Sequence, residues 1–219
     1  AWCVASGKPR VMIARHDTPH GALENGLLIL VVGPSGVGKD TLLDAARARL
    51  HDDETILFPR RCITRPAGSV GEIHIPVRAE DFASMAKQGA FLLSWRAHNL
   101  CYGIPNHVQN DVANGKIVVV NASRSVIDDA RDLLSPDHVR VISIRAHEDA
   151  LRQRLVARGR ESSDDIEQRL RRASAYQVDG PNVIAVENDN DLETGIGRFI
   201  DAIFHRPAPK DQSPGNRAV

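Results

Sequence analysis

The sequence predicts an α/β fold, a parallel β-sheet flanked by helices, and three observations carry that expectation. Apolar runs over 27–32, 117–120, 139–144 and 183–186 have the length and composition of buried strands. Segments of helical period separate them, over 126–134, 148–157, 164–175 and Leu192–Phe204. Strand, helix, strand in this rhythm is the mark of parallel βαβ units with helices on both faces.

The first run, Leu27–Val32, carries no charge and reads as a buried strand. After it, Leu42, Leu43, Ala46 and Leu50 fall on one helical face. Gly115 stops a preceding helix just ahead of the second run. Residues of about 60–105 break the rhythm with short mixed segments punctuated by Pro66, Gly68, Gly71, Pro76 and Gly103. They read as an insertion on the core sheet, a natural place for an acceptor site. Residues 1–25 keep no sustained period and read as a flexible arm. Residues 206–219 hold three prolines among polar residues and read as a disordered tail. The expected domain is therefore 26–205, and no internal repeat is visible.

Composition narrows the function classes. The 28 Lys and Arg equal the 28 Asp and Glu, so net charge argues for neither nucleic acid nor membrane as partner. Any cationic site must be built locally by placed arginines. Cys3, Cys62 and Cys101 form no CxxC pair and no Cys/His zinc spacing, which fits a reducing cytoplasm rather than a disulfide framework. The longest apolar run has 6 residues, far below the ~20 of a membrane helix, and no signal-like segment opens the chain. The expectation is a cytoplasmic protein with small-molecule partners, with a homodimer left open.

The strongest motif is Gly33-Pro34-Ser35-Gly36-Val37-Gly38-Lys39-Asp40-Thr41. It fits G-x-x-x-x-G-K between a buried strand and an amphipathic helix, the context that a phosphate loop requires. Its glycines let consecutive backbone N–H groups curve around a phosphate, and the helix N-terminus adds partial positive charge. Lys39 sets a cation against the β- and γ-phosphates of ATP, which makes it a catalytic candidate. The motif normally closes with Ser or Thr on Mg²⁺, but Asp40 stands there. Its carboxylate either ligates the ion, as a hard oxygen donor, or serves only as an acid at the helix start. Thr41, one residue later, points about 100° away around the helix.

With these residues the chain resembles the guanylate-kinase-like P-loop kinases, and within them the ribose 1,5-bisphosphate phosphokinases of phosphonate catabolism. The resemblance rests on Gly38-Lys39-Asp40, Arg61-Cys62-Ile63-Thr64-Arg65, Glu72-Ile73-His74-Ile75, Leu93-Ser94-Trp95, Tyr102-Gly103, Asn121-Ala122-Ser123-Arg124 and Arg158-Gly159-Arg160-Glu161. It implies a P-loop kinase fold with a small acceptor-binding insertion and a helical lid over 152–172. It also implies transfer of the ATP γ-phosphoryl group to ribose 1,5-bisphosphate. The departures from true guanylate kinases point the same way. Where those enzymes read guanine with Glu, Thr and Ser, this chain has Leu93, Ile104 and Arg61. Apolar groups there forfeit the discrimination that hydrogen bonds provide.

The resemblance assigns Arg158, Arg160 and Arg169 to a lid that closes over the phosphates. Arg152, Arg154, Arg171 and Arg172 read instead as a solvated helical face. Arg61 and Arg65 suit phosphate by their fork-like donors, and they are substrate-binding candidates together with His74, Tyr102, Ser123 and Arg124. His74 is equally readable as an ordinary surface histidine, Tyr102 also as a packing residue, and Trp95 more readily as core than as a ligand platform. Asn121, not an acid, closes the strand before Ser123, so a second metal ligand is unassigned. Adenine is expected near Asn188 and Asp189. The competing readings are a guanylate or other nucleoside-monophosphate kinase, an inactive guanylate-kinase-like interaction module, and a nucleotide-gated switch.

Overall fold

In the computed structural model the described residues are 26–67, 73–159, 162–189 and 191–205. The arm expected over 1–25 and the tail expected over 206–219 lie outside them. Five strands, β1 (Leu27–Val32), β2 (Ile56–Leu57), β7 (Ile117–Asn121), β8 (Val139–Arg145) and β9 (Val183–Glu187), form a sheet in the order β2-β7-β1-β8-β9. Every pairing in it is parallel. β1 is central and buried on both faces, which is why it is uniformly apolar. Leu28, Leu30 and Val32 enter the core on one side, Ile29 and Val31 the core on the other. Burying each such side chain contributes about 1.5–3 kcal/mol.

Helices α1 (Lys39–Arg49) and α7 (Leu192–Phe204) cover one face with Leu42, Ala46, Phe199 and Ile203. The other face receives α3 (His107–Ala113) and α4 (Ile127–Leu134) through Val108, Val112, Ile127 and Ala130. The expected strands and helices are present, each within a residue or two of its expected ends. Leu50 stands just beyond α1 as its cap.

A second, mixed sheet comes from described residues between 62 and 105. Its strands are β3 (Cys62–Ile63), β4 (Ile75–Pro76), β5 (Phe91–Ala97) and β6 (Leu100–Pro105), in the order β4-β3-β6-β5, with α2 (Ala79–Lys87) before β5. The β5–β6 hairpin turns on His98 and Asn99, both at positive φ (50° and 61°), the geometry of a two-residue turn that follows the strand twist. β3 and β4 are two residues long, too short to leave a readable period in the sequence.

Helices α5 (Glu148–Arg158) and α6 (Ser163–Ser174) pack on each other around Leu151, Leu155, Ile166 and Leu170. α6 begins with a reciprocal capping box: Ser162 accepts from the Asp165 backbone, and the Asp165 carboxylate accepts from the Ser162 backbone N–H. This pair stands over the loop between β1 and α1, because Leu151 and Leu155 of α5 press against Gly36.

Candidate active site

The carboxyl ends of parallel strands, where the order reverses about the first strand, are where α/β sheets bind ligands. Here β7 and β8 flank β1 on opposite sides, and the phosphate loop springs from the end of β1. Around it lies a cleft of about 940 Å³, within the range of small-molecule sites. Gly33, Pro34, Ser35, Gly36, Gly38, Lys39, Asp40 and Thr41 line it, as do Arg61, Arg65, Tyr102, Ser123 and Arg124. One cleft thus gathers candidates scattered from residue 33 to residue 169.

The loop is held from beneath. Val37 is fully buried, so it anchors the loop by burial and does not face the cleft. Its carbonyl accepts from Asn188 Nδ2 at 2.8 Å and Arg154 Nη1 at 3.3 Å. Gly38 has φ +98°, and a Cβ there would stand 2.5 Å from Asn188 Nδ2. Only glycine satisfies both demands. At the two positions near which adenine is expected, Asn188 is a buried strut under the loop, and Asp189 accepts from the backbone of His147 at the start of α5. Neither lines the cleft. Arg154 belongs to the same support, not to a solvated face.

Lys39 curls its ammonium over the loop and donates to the carbonyls of Gly33 at 2.7 Å and Pro34 at 3.0 Å. Asp40 stands in the first turn of α1, exposed to the cleft, and accepts from Asn121 Nδ2 at 2.8 Å. The strand-end position that seemed to lack a metal ligand therefore supports the carboxylate on the loop. Among the described residues no cluster of three or more His, Cys, Asp or Glu stands ready to hold a metal by itself. The donor set suits an ion bound by one carboxylate, phosphate oxygens and water, as Mg²⁺ commonly is.

The second sheet supplies another wall. Trp95 and Tyr102 are cross-strand partners whose rings stack with centroids 5.4 Å apart at 5°. The Arg61 guanidinium lies over both, 5.4 Å from the Trp95 centroid and 5.1 Å from the Tyr102 centroid. Trp95 packs on the core, as its expected reading had it, and lines the cleft as well. Leu93 and Ile104 sit one step deeper on the same hairpin face, paired with each other and buried. They are core residues rather than a vacated base-reading edge, so the discrimination argued from them does not rest on cleft-facing groups. His74 does not line the cleft; its Nε2 meets the Arg65 carbonyl at 3.1 Å and steadies the segment carrying Arg65.

After β7, Ser123 caps a short 3-10 turn and accepts from the Ser125 backbone at 3.2 Å. The Arg124 guanidinium beside it stands 4.6 Å from the Tyr176 ring centroid. Sequence reasoning missed Tyr176. It follows α6 in a polar stretch and leaves no motif, yet its ring packs on the core and its phenol reaches the backbones of Gly33 and Arg124. Burial pushes this phenol up from its ordinary range.

From the helical pair, Arg169 donates to Ser35 Oγ at 2.9 Å. Arg158 ends α5, while its side chain and Arg160 lie outside the described residues. Arg152 bonds Glu148 on its own helix and Glu167 on α6, the structural fate expected of it. Arg172, exposed as the sequence reading expects, also lines the cleft, because it follows Arg169 by three residues on the same face.

The fold and this cleft define a class, the P-loop kinases with a guanylate-kinase-like fold. A structural counterpart is guanylate kinase from Anaplasma phagocytophilum, with a TM-score of 0.58 at 18% identity over 82% of this chain and 85% of that one. A family model described as an AAA domain matches residues 29–176. A ribose 1,5-bisphosphate phosphokinase PhnN of Brucella melitensis is 40% identical over 184 residues, 84% of this chain and 92% of the relative. The chain belongs to this ribose 1,5-bisphosphate phosphokinase family. A bifunctional ribose 1,5-bisphosphokinase-thymidine phosphorylase of Cupriavidus pinatubonensis is 48% identical over 181 residues, and there the match spans only 29% of the relative.

Proposed function

We propose that the chain transfers the γ-phosphoryl group of ATP to the 1-phosphate of ribose 1,5-bisphosphate, yielding phosphoribosyl diphosphate and ADP. The observation that carries this reading is a single cleft bounded by a phosphate loop and by Arg61, Arg65 and Arg124. The relatives named for this activity support it, at 40% and 48% identity. In the transfer, an oxygen of the 1-phosphate bonds to the γ-phosphorus. The bond from that phosphorus to the β,γ-bridging oxygen breaks, and ADP leaves with the electron pair. A phosphate monoester has its second pKa near ~6, so the acceptor oxygen is already anionic and needs no general base. What it needs is positioning and charge neutralisation.

Lys39 neutralises the β- and γ-phosphates, and Arg169, Arg158 and Arg160 close over them and exclude water. Arg61, Arg65, Arg124, Ser123 and Tyr102 hold the acceptor, and His74 acts on it through Arg65. Asp40, oriented by Asn121, would hold a Mg²⁺ ion, which would supply charge neutralisation for the transferred group. No helix among the described residues is long and apolar enough to cross a membrane, and we place the activity in the cytoplasm. A homodimer is the assembly that sizing of the purified protein would test.

The test is ATP consumption with Mg²⁺ and ribose 1,5-bisphosphate, GMP or AMP offered in parallel. Turnover with the ribose compound alone, abolished in Lys39→Ala, is the expected result. Turnover with GMP instead assigns a guanylate kinase, and silence with all three assigns an inactive interaction module.

A further inference from the structure

Stacked aromatic rings lining a nucleotide-sized cleft are a ready platform for a planar base. Here the platform is built but covered. Trp95 and Tyr102 are fixed side by side by the β5–β6 register, 5° from parallel. Arg61, one residue before β3, lays its guanidinium over both rings at 5.4 and 5.1 Å. Both distances are within the ~6 Å reach of a cation–π contact. Tyr102 is left 7% exposed. Stacking uses the face of a guanidinium, whereas its N–H donors lie in the plane, the edge that grips phosphate.

We propose that Arg61 decides the acceptor class of this cleft, occupying the aromatic surface on which a base would stack and converting that wall into one for a sugar phosphate. The inference rests on the acceptor reading above and names its specificity determinant. Leu93 and Ile104 take no direct part, since both are buried one step below the rings. Their effect is to leave the platform without a polar floor, so acceptance or refusal of a base rests on what covers Trp95 and Tyr102.

The experiment uses the full chain with Trp2→Phe, which leaves Trp95 as the remaining one of two tryptophans. The donor site is filled with a non-hydrolysable ATP analogue and Mg²⁺, so that added nucleotide cannot report from the phosphate loop. GMP, AMP and ribose 1,5-bisphosphate are then titrated, reading Trp95 emission and heat of binding. Arg61→Ala uncovers the rings, and we expect it to bind GMP and AMP at least about tenfold more tightly than the parent does, with quenching of Trp95. The same variant loses about ten- to hundredfold in affinity for ribose 1,5-bisphosphate, the loss expected for a hydrogen-bonded charge. Arg61→Met keeps an unbranched cover without charge, and loses the sugar phosphate without gaining the bases.

The proposal is overturned if Arg61→Ala, folded by its melting temperature and still binding the ATP analogue, gains no purine nucleotide. Equal gains in Arg61→Ala and Arg61→Met overturn it as well. A parent protein that never turns over ribose 1,5-bisphosphate sinks the proposed function separately, because the gain of bases is read by binding alone.

Discussion

Asn121, the last residue of β7, donates its side-chain amide to Asp40 Oδ1 at 2.8 Å. The usual phosphate loop puts a hydroxyl where Asp40 stands and takes an acid from a strand end. Here the acid is on the loop and a neutral amide is on the strand, so the local charge is kept while its position is exchanged. The amide holds one carboxylate oxygen and so orients the group toward the cleft.

That exchange predicts non-additive genetics. Asp40→Ser and Asn121→Asp each lower kcat on the order of a hundredfold, the scale of losing one preorganised charge-stabilising group. In Asn121→Asp two carboxylates face each other, and their repulsion turns the Asp40 side chain from its position. The double variant Asp40→Ser/Asn121→Asp restores a hydroxyl and a strand-end acid, and recovers part of kcat and of the Mg²⁺ response. Losses that simply multiply would end the exchange idea.

The arginines of the helical pair divide by what they touch. Arg169 reaches Ser35 on the phosphate loop, and Arg169→Ala lowers kcat about a thousandfold or more, as for an arginine serving phosphoryl transfer. Its melting temperature stays near the parent value, because the contact is exposed. Arg152 instead ties Glu148 to Glu167. Arg152→Ala changes kcat by no more than a few-fold. Steady-state kinetics beside thermal melts separate the two, and equal effects on kcat would refute the division.

Tyr176 joins three parts of the site: it follows α6, its phenol meets Gly33, and its ring underlies Arg124. Tyr176→Leu removes the ring and raises the acceptor KM about three- to thirtyfold, the worth of a cation–π contact. Tyr176→Phe keeps the ring and stays within about threefold of the parent. An ATP KM that moves as much as the acceptor KM would show a general structural role instead.

Gly38→Ala strains the backbone at φ +98° and drives a methyl against Asn188 Nδ2. The expected loss is about 1–3 kcal/mol of stability by denaturant titration. Adding Asn188→Ala relieves the contact but not the backbone, so the double variant is no more stable than Gly38→Ala. Recovery of parental stability would mean that the contact alone matters.

Asp165 is held below its ordinary carboxyl value of 3.8 chiefly by the hydrogen bond from the Ser162 hydroxyl, then by the Ser162 backbone. A folded value below the unfolded one means stabilisation that is full above about pH 4–5 and fades as pH falls through the folded value. Amide exchange at the start of α6 should therefore quicken as pH drops below 4, after correction for intrinsic rates. Ser162→Ala should flatten that dependence. An unchanged profile in the variant would remove the capping box as its source.

Much of this was legible in one dimension. Leu27–Val32 and Leu192–Phe204 have the observed bounds, because strand and helix periods are local properties of consecutive residues. The phosphate loop was equally plain, since its chemistry needs fixed residue types at fixed spacing. The short strands β3 and β4 were not, because two residues display no period. β3 is placed by pairing with β6, about forty residues on in the chain, and β4 by pairing with β3.

The sequence by itself determined the fold class, the phosphate loop and which arginines are candidates, all of them written in neighbouring residues. Only the tertiary structure decided which residues meet. It set Asn121 on Asp40, buried Leu93 and Ile104, turned Asn188 into a strut under the loop, put Arg172 and Tyr176 at the cleft, and covered Trp95 with Arg61. The reason is physical. Periodicity reports which way a side chain points from its own helix or strand, whereas contacts between elements depend on how the two sheets and the helical pair pack together.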